Sequence, residues 1–114
     1  MKLTINNEQV YLYTNNKEID SSKPSMMFIH GAGFDHSVWT LFARHFSRHN
    51  WNVLAIDLPG HGRSSGDTLT SIEAMSDWVV SVLDHFSIEN VALVGHSMGS
   101  LITIETAAKI KARA

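Results

Sequence analysis

Polar and apolar residues alternate at the start of the chain. Leu3 and Ile5, then Val10 and Leu12, stand two apart on either side of Asn6-Asn7. That period predicts two short strands joined as a hairpin. Three later runs are continuously apolar instead: "SMMFIH" at 25–30, "NVLAID" at 52–57 and "NVALV" at 90–94. Runs of this kind predict strands buried on both faces, as in a parallel sheet. Between them the period becomes helical. Val38, Leu41, Phe42 and Phe46 recur at helical spacing in a segment reaching His49. Ile72, Met75, Val79, Val82, Leu83 and Phe86 share one face of a second helix. Thr70-Ser71-Ile72-Glu73 opens it as a capping box, with Thr70 at the N-cap and Glu73 at N3. Met98 to Lys111 predicts a third helix, and "NNKEIDSSKPS" (15–25) a surface loop. Buried strands alternating with helices imply right-handed βαβ units. The expected class is α/β, a mostly parallel sheet with helices on both faces.

Composition narrows the partners. The chain has 114 residues, 44% hydrophobic and 18% charged, with a formal net charge of -2. That balance is too neutral to suggest nucleic acid or an anionic membrane surface as partner. No apolar run approaches the roughly eighteen residues that mark a bilayer span. The first residues, "MKLTINNEQVYLY", lack the unbroken apolar core of a secretory leader. There is no cysteine, so disulfide and thiolate chemistry are excluded and a cytoplasmic setting is expected. One domain is expected over 1–114.

The chemistry centres on "VALVGHSMGS", residues 91–100. A G-x-S-x-G pattern arises by accident in about one chain in thirty of this length, so context must carry it. Here it lies between a buried strand and a helix, as a nucleophile elbow requires. At such an elbow Ser97 takes a strained backbone conformation, and Gly95 and Gly99 let strand and helix approach. Oγ then projects above the carboxyl edge of the sheet, and the Met98 amide can donate to a developing oxyanion. The competing reading is a serine that only caps the last helix.

A second element is independent. "FIHGAGFDHSVW" (28–39) places His30-Gly31 at the end of a buried strand, before a glycine-rich loop. An oxyanion hole needs two converging amides, and this loop is the natural source of the second. Ala32 is the first choice and Gly33 the next. Alone, the segment reads equally well as a plain βα turn.

Together "HGAGFDHSVW", "DLPGHGRSSG" and "GHSMGS", in this order and spacing, resemble the N-terminal half of the α/β-hydrolase superfamily. The nearest likeness is to small cofactor-free esterases and to non-haem haloperoxidase-like and perhydrolase-like enzymes. It extends from Met26 onward. The resemblance implies Ser97 as nucleophile, the Ala32 and Met98 amides as oxyanion hole, and a small-molecule ester or related acyl substrate. It implies a structural part, not a catalytic one, for Asp57, His61, Arg63 and Ser64. A serine at the elbow argues against dehalogenases and epoxide hydrolases, which resemble the fold but place aspartate there. Carbon–carbon bond hydrolases usually carry a longer Gly-Pro-Gly stretch after His-Gly, which is missing here.

The histidines offer no metal site. His45 and His49 stand four apart on a helix, but Phe46 replaces the glutamate of H-E-x-x-H and no third ligand follows. His30 is expected to orient the oxyanion loop, and His96 to pack beneath the elbow. His36, His61 and His85 have no evident carboxylate partner. No base for Ser97 is legible either. In the family the order is serine, acid, histidine, but the seventeen residues after Ser97 contain only Glu105 and no histidine. Residues 1–114 are thus expected to be the first half of a single hydrolase domain, inactive alone. The alternative is a non-catalytic module that keeps the half-fold and binds something.

Overall fold

The computed structural model describes residues 1–111. Asn6 and Asn7 both take left-handed φ, 52° and 65°, which suits a two-residue hairpin turn. Strand β1 (Lys2–Ile5) therefore folds back antiparallel on β2 (Glu8–Tyr13). Strands β3 (Ser25–Ile29) and β4 (Asn52–Ile56) are buried along their whole length, as their apolar runs require. A 3-10 turn (His36–Trp39) leads into α1 (Thr40–Ser47) between them. Helix α2 (Ile72–His85), strand β5 (Val91–Gly95) and helix α3 (Met98–Lys109) complete the order.

Strand β3 is the parallel centre of the sheet. It pairs with β4 from Ser25↔Asn52 to Ile29↔Ile56, and with β5 from Ser25↔Val91 to Ile29↔Gly95. Strand β2 joins β4 antiparallel through Leu12↔Ile56 and Tyr13↔Ala55, giving the order β1-β2-β4-β3-β5. The class is α/β, as the strand–helix alternation predicts. Side chains alternate across each strand. Met27, Ile29, Leu54 and Ile56 join Met75, Val79, Val82, Leu83 and Ile102 in one core beneath α2 and α3. Met26, Phe28, Val53 and Ala55 meet Ala43 of α1 on the other face. Among the described residues no helix is long and apolar enough to cross a membrane.

One local expectation needs correction. The N-cap of α2 is Ser71, not Thr70: Ser71 is extended (φ -137°, ψ 151°) and its hydroxyl accepts from the Ala74 amide at 3.0 Å. Both residues carry a capping hydroxyl, and the one three residues before a free amide wins. The first helix buries only part of its apolar stripe. Its buried residues are Ala43 and Ser47, with Trp39 and Phe46 alongside, whereas Val38, Leu41 and Phe42 are 44%, 76% and 56% exposed. Half of that apolar stripe therefore faces away from the sheet.

Candidate active site

Because Ile29 and Gly95 are register partners, the loops leaving β3 and β5 emerge side by side at the carboxyl edge of the sheet. The His96 amide donates to the Ile29 carbonyl at 3.2 Å and extends that pairing by one residue. The chain then turns abruptly. Ser97 has φ 58° and ψ -120°, a conformation that costs on the order of 1–3 kcal/mol for a residue with a side chain. The turn brings helix and strand into contact. A Cβ on Gly95 would overlap the carbonyl of Gly99, and one on Gly99 the carbonyl of Ile29. Glycine at both positions is what allows the approach.

Ser97 stands at the N-cap position of α3 yet makes no side-chain capping bond, and it is exposed. The capping reading therefore has no geometry behind it. Gly99 donates to His96 O and Ser100 to Ser97 O, both at 2.9 Å. The Met98 amide precedes these bonds, and among the described residues nothing accepts from it.

Opposite lies the loop after β3. Phe34 N–H donates to Gly31 O at 3.2 Å, closing a turn with Gly33 at a left-handed φ of 78°. Neither the Ala32 nor the Gly33 amide meets an acceptor among the described residues. A Cβ on Gly31 would stand 3.3 Å from Ser97 Cβ and 3.4 Å from His96 O. The two loops thus touch at the serine.

His30 fastens this arrangement from below. It is fully buried; its Nε2 accepts from the Leu58 amide at 3.1 Å, so the proton sits on Nδ1, which donates to Gly31 O at 2.7 Å. Burial lowers its pKa, only partly offset by the bond to Gly31. The ring is held neutral, and one tautomer ties the end of β3 to the segment after β4.

His36 does have a carboxylate partner, contrary to the sequence reading. Its Nδ1 lies 2.9 Å from Oδ1 of Asp57, and its own amide donates to that oxygen at 2.7 Å. Oδ2 takes the Arg63 amide at 2.9 Å, and Asp57 is fully buried. The contact links residues 21 apart and closes only when the loop after β3 reaches the end of β4. Asp35, His36 and Asp57 each bring one possible metal-ligand atom within 4.8 Å of the others. However, Asp35 caps the 3-10 turn through Ser37, which holds its carboxyl below the ordinary range, and both oxygens of Asp57 are engaged. The group is a hydrogen-bonded tie. Ser64 completes it: its hydroxyl donates to Asp57 O at 2.6 Å and accepts from the Tyr11 amide at 3.0 Å, anchoring the "DLPGHGRSSG" loop to β2.

His96 does not pack beneath the elbow. Ala92 and Val94 face the α1 side, and His96 continues their alternation onto that side. It is exposed, and with Phe34, Val38, Trp39 and Phe42 it lines an apolar recess. Trp39 Nε1, in the same wall, is buried without a hydrogen-bond partner among the described residues. The His45 and His49 rings lie with centroids 4.4 Å apart and planes tilted by 31° on an exposed surface, and His49 Nδ1 bonds to His45 O; among the described residues no third ligand atom joins them.

Comparison with known proteins gives a concordant picture. A family model described as "Alpha/beta hydrolase family" matches residues 26–114. The chain is 35% identical over 79 residues to (E)-2-((N-methylformamido)methylene)succinate hydrolase of Acinetobacter baylyi, covering 68% of this chain and 30% of that protein. It is 38% identical over 89 residues to a Haemophilus influenzae protein provisionally named an esterase/lipase, covering 78% and 29%. The chain thus spans about 30% of the length of these curated relatives. The solved enol-lactonase from Burkholderia xenovorans superposes with a TM-score of 0.85 over 99% of this chain and 43% of that one; at 24% identity it speaks to the fold alone. With strand order, elbow and family match in agreement, this chain belongs to the alpha/beta hydrolase family.

Proposed function

We propose that residues 1–114 are the N-terminal half of a serine hydrolase domain that cleaves carboxylic esters of small molecules, in a cytoplasmic setting. The observation that carries this is Ser97 itself: strained, exposed, without a capping bond, and touching a loop with free amides. Strain of this kind persists where the surroundings enforce it, and function is the usual reason. Ser97 Oγ attacks the ester carbonyl carbon and its proton passes to a histidine base. The carbonyl oxygen becomes an oxyanion that accepts from the amides of Ala32 and Met98. Collapse expels the alcohol, which takes up the proton, and water then releases the acid from the acyl-serine. His30 and Gly31 hold the first amide in place; Gly95 and Gly99 hold the second.

No histidine follows Ser97 in this chain, and the one acid that does, Glu105, lies on α3 itself; the reading assigns the triad acid and histidine to sequence beyond it. His30 cannot be the base, because both ring nitrogens are engaged away from the serine. His36 is committed to Asp57. Relatives named hydrolase and esterase/lipase fit this reaction class.

The test is covalent labelling of the full-length protein carrying these residues with a fluorophosphonate probe. Labelling at Ser97, lost together with ester hydrolysis in Ser97→Ala, is expected. Hydrolysis that survives in Ser97→Ala would remove the assignment, and an unlabelled, inactive protein would favour a non-catalytic binding module.

A further inference from the structure

The Ala32 amide sits in a loop whose two ends are fastened to the same short stretch after β4. At the start, His30 Nδ1 donates to Gly31 O at 2.7 Å, and its Nε2 accepts from the Leu58 amide at 3.1 Å. At the far end, the His36 amide and Nδ1 both reach Asp57 Oδ1, at 2.7 and 2.9 Å. Asp57 cannot shift to follow the loop. It is fully buried and every polar atom is engaged: its N–H donates to Tyr11 O at 3.0 Å, its carbonyl accepts from Ser64 Oγ at 2.6 Å, and Oδ2 accepts from the Arg63 amide at 2.9 Å. The His36 ring is seated as well. Tyr11 lies against it with centroids 4.9 Å apart, and Tyr13 stacks at 6.2 Å with planes 13° apart.

We infer that His36 and Asp57 are positioning residues for the oxyanion hole: without touching substrate, they set the direction in which the Ala32 amide points. The inference rests on the serine hydrolase reading. A hydrogen-bond donor stabilises an oxyanion only when it is aimed where the charge develops, and a misplacement of about 1 Å costs on the order of a hundredfold in rate. The loop itself does not supply that aim. Within 31–35 one backbone bond closes, from Phe34 N–H to Gly31 O. Gly33 takes a left-handed φ of 78°, and a Cβ built on it would meet nothing within 4 Å. Two glycines flank Ala32, so its peptide can turn unless both ends of the loop are fixed. His30 fixes one end. At the other, the backbone bond to Oδ1 alone would leave a pivot. The ring bond reaches the same oxygen from a second direction and stops the rotation. Oδ1 already faces an amide N–H and can only accept, so the ring proton stands on Nδ1.

The experiment uses the full-length protein carrying these residues, with p-nitrophenyl acetate as substrate. A trifluoromethyl ketone probes the hole, because its adduct with serine carries an oxyanion. Titration with a fluorophosphonate counts active sites, so that a misfolded fraction does not enter kcat. His36→Leu removes the ring donor, whereas His36→Asn places an amide N–H where Nδ1 stands. His36→Leu is expected to lower kcat on the order of tenfold or more with KM within about twofold, since the hole acts in the transition state and not on bound ester. Affinity for the ketone should fall by the same factor, and His36→Asn should recover most of both losses. Asp57→Asn keeps the shape but sets an N–H against a donor; it is expected to show the same split and carries the test if His36→Leu does not fold. Wild-type kcat per titrated site, a loss of kcat with unchanged ketone affinity, or equal losses in the Leu and Asn variants would overturn the positioning role and leave the serine reading standing. No turnover and no labelling in the wild type would remove the serine reading, and this inference with it.

Discussion

Gly99 and Ile29 approach so closely that no side chain fits between them. A Cβ on Gly99 would overlap the Ile29 carbonyl oxygen and stand 2.9 Å from that of His30. The obstacle is backbone in the middle of the sheet, which cannot swing aside as a side chain can. Gly99→Val is therefore expected to cost about 1–3 kcal/mol through overpacking. Urea unfolding of wild type and variant measures it. An unchanged midpoint would mean that α3 and β3 stand further apart than described.

Ser97 should behave in the opposite sense. At φ 58° and ψ -120° a glycine would be at ease where serine is strained. Ser97→Gly is expected to raise stability by about 1 kcal/mol relative to Ser97→Ala, which retains the strain. Equal unfolding midpoints for the two variants would refute a strained elbow.

The burial of His30 has a pH signature. Its pKa is lowered from 6.5, chiefly by desolvation, so below 6.5 the unfolded chain takes up a proton that the folded one resists. The stability tied to the neutral ring is complete above that value and falls away with acidification. Asp20 and Asp35 have carboxyls held below 3.8 by Ser22 and Ser37 and lose their contributions at lower pH still. Wild type is expected to lose more stability than His30→Gln between about pH 7 and about pH 5.5. Parallel curves for the two proteins would argue against a neutral buried ring.

Strand β5 is the edge of the sheet among the described residues. Only Val91 is buried on it, whereas β3 and β4 are buried throughout. Leu101 and Ile104 on the adjacent α3 are 55% and 68% exposed. An apolar edge with unpaired backbone is a template for intermolecular pairing. The 114-residue chain purified alone is expected to self-associate and to hydrolyse p-nitrophenyl acetate no faster than its Ser97→Ala variant. Light scattering after size exclusion gives the mass, and Val94→Lys should reduce it. A monomer with Ser97-dependent turnover would place a base within these residues.

What the sequence revealed and what it hid differ by physical range. The strands were legible because burial on both faces leaves an unbroken apolar run, and β3 and β4 fall where those runs lie. The elbow was legible because glycine, serine and glycine report a local backbone demand. The α2 cap was missed by one residue because Thr70 and Ser71 offer the same hydroxyl. The outward placing of Phe42 and Val38 was not legible, because spacing shows which residues share a face, not what that face meets. The His36–Asp57 contact was hidden for a deeper reason. Its partners meet only through the packing of one loop on another strand's end, and no local pattern encodes that.

The central position of β3 also orders events in time. Its partner β4 follows closely in the chain, whereas β5 closes a loop more than twice as long onto the same strand. Each doubling of a loop adds only about 0.6 kcal/mol to the entropy of closure, but non-local pairing still slows folding. During synthesis β3 and β4 can pair before β5 has left the ribosome, with the far side of β3 open. Until β5 docks, Ser97 has neither the helix behind it nor the His30 loop against it. The Ser97 elbow is therefore assembled late, after the sheet to which it is fixed.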